Sequence, residues 1–219
     1  MSSVDEAVRL HNAVVLLGSF PALAEASLVV KKGEIVLISG ANGAGKTTLL
    51  RLCAGLVPLA RGEATVLGFN LATQRKEAQA HVGMLGHANG LYLDLTAQEN
   101  LQFWGAVVGA SAQEIALSAQ RMGLHTRLLG TTVAKMSAGQ RRRTALAILI
   151  IRRASLWLLD EPHAGLDAAG RDEIDNILRE ATSAGATVIV ASHELERAGA
   201  LATRRIEVVG GAIVERGAQ

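Results

Sequence analysis

Short apolar runs bounded by turn residues recur in the first part of the chain. Runs at 14–17, 26–30 and 34–39 have the density of aliphatic and β-branched residues that is typical of strands. The third run ends in a glycine-rich turn, and the segment 46–56 after it has the spacing of a helix. The pattern therefore predicts a strand, a tight turn and a helix that follow one another directly.

The middle of the chain has helical spacing, and the strand pattern returns in the last third. Apolar positions in the middle predict a mostly helical block, with helices at 98–108, 113–122 and 138–151. Beyond this block, short buried strands are predicted at 155–159 and 187–191, with a charged helix over 172–184 between them. Alternation of strand and helix favours an α/β fold with a parallel sheet, in which ligands bind at the carboxyl ends of the strands.

The composition is that of one folded unit. The 219 residues are 49% hydrophobic and 19% charged, which excludes disorder driven by low hydrophobicity and high net charge. The net charge of +2 gives no electrostatic case for wrapping nucleic acid. We therefore predict a single domain over 1–219 and no nucleic acid partner.

No segment has the pattern of a membrane span. The most apolar stretch, 145–159, is interrupted by Arg152 and Arg153, and a span needs about 18 apolar residues in a row. The first residues carry acids before any apolar run, so no secretory signal is predicted. Cys53 is the one cysteine, which excludes an internal disulfide and favours a reducing compartment.

The segment from Gly40 to Thr47 satisfies GxxxxGK[ST], the pattern of a phosphate-binding loop. Its glycines let successive backbone N–H groups point inward, and the helix after it adds a positive N-terminal end. Lys46 would reach the β- and γ-phosphates, and the Thr47 hydroxyl would bind Mg²⁺. The alternative is a glycine-rich turn without a ligand. The predicted nucleotide-binding residues are Gly40, Asn42, Gly43, Ala44, Gly45, Lys46, Thr47 and Thr48.

The predicted strand at 155–159 delivers two adjacent carboxylates, Asp160 and Glu161, to its carboxyl end. Asp160 would coordinate Mg²⁺ through its water shell. Glu161, which points the other way on an extended backbone, would polarise a water for attack on the γ-phosphate. The alternative is an acidic pair that caps the next helix.

A third motif, Ser137-Ala138-Gly139-Gln140, resembles the LSGGQ signature of ABC-type ATPases. The order of the other motifs is also similar to that family, with Gly165-Leu166-Asp167 and then Ser192-His193 following the acidic strand. The resemblance covers nearly the whole chain. It implies an α/β P-loop NTPase fold with a mostly parallel central sheet, an N-terminal antiparallel β part and an inserted helical subdomain near 80–150.

The chemistry that the resemblance implies is hydrolysis of ATP, with Mg²⁺, between two copies arranged head to tail. Ser137 and Gly139 of one copy would meet the γ-phosphate held by Lys46 of the other, and Gln140 belongs to the same binding set. His193 would contact that phosphate and orient the attacking water. A purely structural alternative for the signature is an N-cap serine that opens an amphipathic helix.

Two positions depart from the family pattern. His87 stands where the family has a glutamine that senses Mg²⁺ and couples to the membrane partner. It is a candidate metal ligand or sensor, or only a hydrogen-bonding loop residue. Leu17 replaces the tyrosine that stacks on adenine. Phe20 either takes over that stacking or belongs to the core, and we expect the core.

The task that the resemblance implies is that of the ATPase subunit of an exporter. The chain has room for one nucleotide-binding domain, so integral membrane subunits would be separate chains, and this one would lie peripherally at the cytoplasmic face of the membrane. Segments 86–87, 95–101, 137–143 and 156–162 are similar to the ATP-binding subunits of the haem exporter of cytochrome c maturation. The alternatives are an exporter of drugs, lipids or peptides, and a soluble ABC-type ATPase without a transport role.

The remaining basic clusters carry no site in this interpretation. The other histidines lack the spacing of metal ligands. Arginine runs at 141–143, 152–153 and 204–205 are expected on solvated faces or at helix ends, with contact to phosphate or lipid headgroups as the alternative.

Overall fold

A computed structural model of the chain describes residues 5–86 and 88–215. Residue contacts divide the chain into two units. The first, here the sheet unit, comprises Met1–Met84, Ser155–Glu161 and Asp175–Gln219. The second, here the helical unit, comprises Leu85–Ala154 and Pro162–Ile174. The backbone therefore leaves the sheet unit and returns to it twice.

The elements are numbered in chain order. The described strands are β1 Glu6–Leu17, β2 Phe20–Lys31, β3 Ile35–Ser39, β4 Arg61–Val66, β5 Phe69–Asn70, β6 Val82–Leu85, β7 Leu156–Asp160, β8 Thr187–Ala191, β9 Arg204–Val209 and β10 Ala212–Glu215. The described α-helices are α1 Lys46–Cys53, α2 Arg75–Ala80, α3 Ala97–Val108, α4 Ala112–Arg121, α5 Thr126–Leu129, α6 Ala138–Arg152, α7 Ala168–Ser183 and α8 Leu195–Leu201.

The larger sheet brings three strand ends to one edge. Its strand order is β10-β9-β3-β8-β7-β6, and β3 pairs in parallel with both β8 and β9, as β7 does with β8. Ile38 and Asp160 both pair with Ala191. The residues that follow β3, β7 and β8 therefore emerge side by side, at the edge where ligands bind in parallel sheets.

A second, antiparallel sheet of order β2-β1-β4-β5 completes the β part of the sheet unit. Its long strands β1 and β2 form the N-terminal part of the chain. The mostly parallel larger sheet and this antiparallel sheet confirm the predicted fold class.

The core of the sheet unit joins both sheets through α1. One continuous cluster holds Val8 and Leu10 of the antiparallel sheet, Ile38 of the larger sheet, and Leu49 and Leu52 of α1. These side chains are nearly or completely buried. Each buried leucine stabilises the fold by about 1.5–3 kcal/mol, so the helix that follows the glycine-rich loop is held firmly in place.

Three helices of the helical unit begin with the same capping device. The side chain of the N-cap residue accepts a hydrogen bond from the backbone N–H of the residue three positions later. The side chain of that later residue in turn accepts a hydrogen bond from the backbone N–H of the N-cap residue. The pairs are Thr96 with Glu99, Ser111 with Glu114, and Ser137 with Gln140. The two helices α3 and α4 both pack against α6.

Two expectations about individual residues are wrong, those for Arg142 and Phe20. Arg142 is only 4% exposed, so it does not lie on a solvated face. In strand β9, Arg204 is half-buried and Arg205 is exposed, so the expected solvated face is confirmed for Arg205. Phe20 is 65% exposed at the start of β2, because the turn after Leu17 holds it beyond the core, and it is not a core residue.

No helix among residues 5–86 and 88–215 is long and apolar enough to cross a membrane.

Candidate nucleotide site

The glycine-rich loop between β3 and α1 needs glycine for close packing. Gly40 and Gly45 have φ values of 140° and 113°, which side-chain-bearing residues rarely adopt. A Cβ on Gly45 would lie 2.6 Å from the Ala22 carbonyl oxygen, and one on Gly40 would collide with the Val208 carbonyl. The loop therefore packs against β2 and β9, while Asn42 and Gly43 at its crest are exposed.

Lys46 and Thr47 open α1 directly after this loop. The Lys46 side chain is 8% exposed, and its Nζ donates to the carbonyl oxygens of Gly40 at 2.7 Å and Ala41 at 2.9 Å. The ammonium group is thus held within the loop itself. Thr48, one residue further on, is buried as well.

A hydroxyl and a carboxylate meet beside the loop. The Thr47 Oγ1 donates to Asp160 Oδ2 at 2.8 Å, and Asp160, the last residue of β7, is 8% exposed. Both groups present oxygen atoms, which are the ligands that Mg²⁺ prefers. The residues present therefore fit a magnesium ion shared with bound phosphate. Among residues 5–86 and 88–215, no cluster of three His, Cys, Asp or Glu offers a separate metal site.

Glu161 adjoins the residues that follow β8. Its N–H donates to the Ala191 carbonyl at 2.8 Å, and its Oε2 accepts from the His193 N–H at 3.3 Å and from Ser192 Oγ at 3.4 Å. The His193 Nε2 lies 3.5 Å from Glu161 Oε1. The backbone of Glu161 has a φ of 50°, which is left-handed, so the expected extended backbone at Glu161 is wrong. A non-glycine residue in this region stores strain of about 1–3 kcal/mol.

The signature residues lie in the helical unit and open α6. The Ser137 Oγ accepts from the Gln140 N–H at 3.2 Å, and the Gln140 Oε1 accepts from the Ser137 N–H at 2.9 Å. A hydroxyl that accepts one hydrogen bond still has its own hydrogen to donate, so Ser137 can cap the helix and bind an anion. The N–H groups of Ala138 and Gly139 lie in the first helical turn, where no acceptor exists within the helix.

Several site neighbours were not singled out for a role by the sequence analysis. Gly165 approaches α6 so closely that a Cβ on Gly139 would lie 2.6 Å from its carbonyl oxygen. The Asp167 carboxylate accepts from Arg143 at 2.9 Å within the same unit. Ser192 was noted only as part of a motif, yet it is buried and bonds to Glu161. Hydroxyl-bearing residues next to a motif carry no periodic signal, so only the fold reveals such a contact.

Three of the residues singled out from the sequence, His87, Leu17 and Phe20, stand apart from this geometry. His87 lies outside the described residues, so its assignment as a metal ligand or sensor stays a prediction. Leu17 and Phe20, on either side of the turn between β1 and β2, are both exposed and available to a flat ligand.

The chain matches a known family over most of its length. The family model described as ABC transporter matches residues 23–164. The "ABC transporter ATP-binding protein NatA" of Bacillus subtilis (strain 168) is 35% identical over 202 residues, which are 90% of this chain and 82% of that protein. The "Cytochrome c biogenesis ATP-binding export protein CcmA" of Bordetella bronchiseptica is 36% identical over 210 residues, or 95% of this chain and 93% of the relative.

A solved structure of an ATP-binding cassette has the same fold as this chain. It is entitled a dimeric structure of a post-hydrolysis state of an ATP-binding cassette bound to ADP and Pi. That cassette is 26% identical to this chain and superposes with a TM-score of 0.86, over 96% of this chain and all of the cassette.

Proposed function

The chain belongs to the ABC transporter family as an ATP-binding and ATP-hydrolysing subunit, and on that premise we propose that it uses MgATP to power haem export for cytochrome c maturation. The observation that carries the catalytic part is the meeting of three strand ends at one sheet edge. The glycine-rich loop follows β3, Asp160 ends β7, and His193 comes two residues after β8. A nucleotide held by the loop lies beside the carboxylates that its hydrolysis requires.

The triphosphate binds in the loop from Gly40 to Thr47. Backbone N–H groups of the loop, those of Asn42 and Gly43 at its crest and of Ala44 after them included, and the N-terminal end of α1 surround the β-phosphate. Lys46 exchanges its two carbonyl acceptors for phosphate oxygens, and such charge-assisted hydrogen bonds are stronger than bonds to neutral carbonyls. The exposed ring of Phe20 supplies a face for the adenine.

Magnesium is the metal that the site's oxygen atoms suit. Thr47 Oγ1 and Asp160 Oδ2 would hold it, directly or through water. When bound, the ion neutralises charge on the β- and γ-phosphates during transfer.

Glu161 is the group that accepts a proton from the attacking water. Ser192 and the His193 backbone orient its carboxylate by donating to Oε2, and the His193 ring lies beside Oε1. His193 would contact the γ-phosphate and orient the same water. General-base assistance of this kind contributes about 10²- to 10⁴-fold in rate.

A second copy of the chain completes the reaction site. In a head-to-tail dimer, Ser137, Gly139 and Gln140 of one copy face the γ-phosphate bound by the other. The first turn of α6 suits this role because its N–H groups and positive dipole end attract an anion. A monomer therefore hydrolyses ATP slowly.

Integral membrane subunits are the other partners, and they hold this subunit peripherally at the cytoplasmic face. An exposed apolar patch in the helical unit supports such contact. Tyr92 and Phe103 pack edge to face with ring centres 5.1 Å apart, and Leu93 and Val107 beside them in sequence are more than half exposed. Exposed apolar patches of this kind mark protein interfaces.

Haem is the proposed cargo because several relatives are named as cytochrome c biogenesis export proteins, and the one from Bordetella bronchiseptica covers 95% of this chain. Deletion of the gene should abolish covalent c-type cytochromes, and the wild-type gene should restore them whereas a Lys46→Ala copy should not. Normal c-type cytochromes in the deletion strain would overturn the haem proposal and leave the ATPase intact. The remaining candidates are then export of another cargo and a role outside transport.

The catalytic proposal is tested on the purified chain. Lys46→Ala should lose ATP binding in calorimetry with magnesium, and Glu161→Gln should keep binding, lose hydrolysis and form an ATP-dependent dimer in size-exclusion chromatography. Glu63→Gln, which changes an exposed carboxylate of β4, is the matched control and should behave as wild type. Wild-type hydrolysis by Glu161→Gln would show that this residue is not the base.

A further inference from the structure

Arg142 is a buried arginine whose guanidinium donates to three acceptors in two separate segments of the helical unit. It lies one helical turn beyond the N-terminus of α6 and is 4% exposed. Its Nη1 donates to the Gly86 carbonyl at 2.9 Å and to Asn89 Oδ1 at 2.8 Å, and its Nε donates to the Pro162 carbonyl at 3.3 Å. The same side chain therefore contacts Gly86 and Asn89 on one side and the turn at Pro162 on the other.

The acceptors explain why a charge is kept in this buried position. Burying an ion is costly unless its hydrogen-bonding groups are satisfied, and a planar guanidinium with five donors can serve acceptors in different directions. Asn89 has a φ of 57°, a left-handed conformation that the contact with Arg142 helps to hold. The arrangement thus fixes two irregular backbone segments that the helix alone would not hold.

The Pro162 carbonyl is the acceptor that connects Arg142 to the chemistry. Pro162 follows Glu161 directly in the chain, and α6 begins with Ser137 and Gly139. We propose that Arg142 is a positioning residue, which fixes the backbone next to the catalytic carboxylate, and with it Gly86 and Asn89, on the signature helix. This inference rests on the proposed function, because it assumes that Glu161 activates the water.

The chain offers a matched comparison at the adjacent position. Arg141 also donates two hydrogen bonds to backbone carbonyls of the helical unit, at 3.0 Å to Val133 and 2.7 Å to Ala134. Neither acceptor is one of the three residues that Arg142 contacts, Gly86, Asn89 and Pro162. Arg141→Lys therefore removes a similar number of contacts without touching the segments that matter here.

The test measures kcat, KM, ATP affinity and melting temperature for Arg142→Lys, Arg142→Gln, Asn89→Ala and Arg141→Lys. Misplacing a reacting group by about 1 Å costs up to about 10²-fold, so Arg142→Gln should lower kcat about 10- to 100-fold. Arg142→Lys should recover part of that loss, and Asn89→Ala should show a smaller one. ATP affinity should stay within about twofold of wild type in all four variants. The kcat of Arg141→Lys should do so too, because Arg141 donates to Val133 and Ala134 and not to Gly86, Asn89 or Pro162.

A double variant separates positioning from general stability. If both residues act through one contact, Asn89→Ala added to Arg142→Gln should lower kcat no further. Fully multiplied losses, or losses of kcat that merely follow melting temperature in all variants, would overturn the inference. If Arg142→Gln does not fold, Asn89→Ala and Arg142→Lys still decide the question. A loss in these variants without any effect of Glu161→Gln would instead refute the proposed base.

Discussion

Replacing Gly139 with alanine sets two effects of known size against each other. Within a helix, glycine to alanine normally stabilises by about 0.5–1 kcal/mol. At Gly139, however, the new Cβ would lie 2.6 Å from the Gly165 carbonyl oxygen, well inside the 3.4 Å at which ordinary contact begins. The carbonyl oxygen of Gly165 is a backbone atom and cannot rotate away as a side chain could, so either α6 or the backbone at Gly165 must move.

The clash should outweigh the helix propensity. Overpacking of this kind costs about 1–3 kcal/mol, which leaves a net loss of up to about 2 kcal/mol in the free energy of unfolding. Because the shift displaces the first turn of α6, ATPase activity should fall about 10- to 100-fold. Gly139→Ala should therefore lower both the free energy of unfolding and the ATPase activity, and the loss of activity should be the larger effect.

Gly199 provides the control, because it lies inside α8 and a Cβ there would meet open space. Urea unfolding should show Gly199→Ala to be stabilised by about 0.5–1 kcal/mol with unchanged ATPase activity. If Gly139→Ala were stabilised to the same extent and hydrolysed ATP at the wild-type rate, the close approach to Gly165 would carry no functional weight and the reasoning would fail.

Three further predictions concern single side chains. Phe20→Ala should weaken ATP binding about two- to tenfold in calorimetry and leave the melting temperature unchanged, and unaltered affinity would exclude adenine stacking. Burial raises the pKa of the Cys53 thiol to about 12, so iodoacetamide at about pH 8 should label it only after denaturation, and rapid labelling of the folded chain would contradict that burial. Hydrogen bonds from the Thr96 backbone and hydroxyl lower the pKa of Glu99 below 4.5, so its stabilising effect is present above that pH and is lost as the pH falls through the folded-state value. Glu99→Gln should therefore unfold with a weaker dependence on acid than wild type, and equal acid dependence would refute the capping contribution.

The parts of the fold predicted from sequence are those with a continuous apolar run or a short motif. Strands β3, β7 and β8 are buried along their whole length, and each appears as an uninterrupted apolar segment. Strands β4 and β9 escaped prediction because both begin with arginine, β4 is exposed over its first three residues, and β9 buries only two of its six. Periodicity over so few residues does not separate a half-buried strand from a loop.

For the functional site too, the features predicted correctly are those carried by short motifs. Membership of the ABC transporter family, the fold class and ATP hydrolysis could be predicted because their motifs are local in sequence, and the comparisons confirm all three. The roles of Lys46, Glu161 and the other site residues, the single domain over 1–219, the head-to-tail dimer and the haem cargo stay predictions. Arg142 and Phe20 were misjudged because burial depends on neighbours distant in the chain, which no local pattern encodes.

The left-handed backbone at Glu161 has a consequence for how this chain can change. Glycine or asparagine would occupy that conformation with less strain than glutamate does. A library screened only for heat resistance should therefore accumulate such replacements at this position and yield hardier proteins that no longer turn over ATP. Selection for thermal stability therefore disfavours glutamate at this position, whereas selection for ATP hydrolysis retains it.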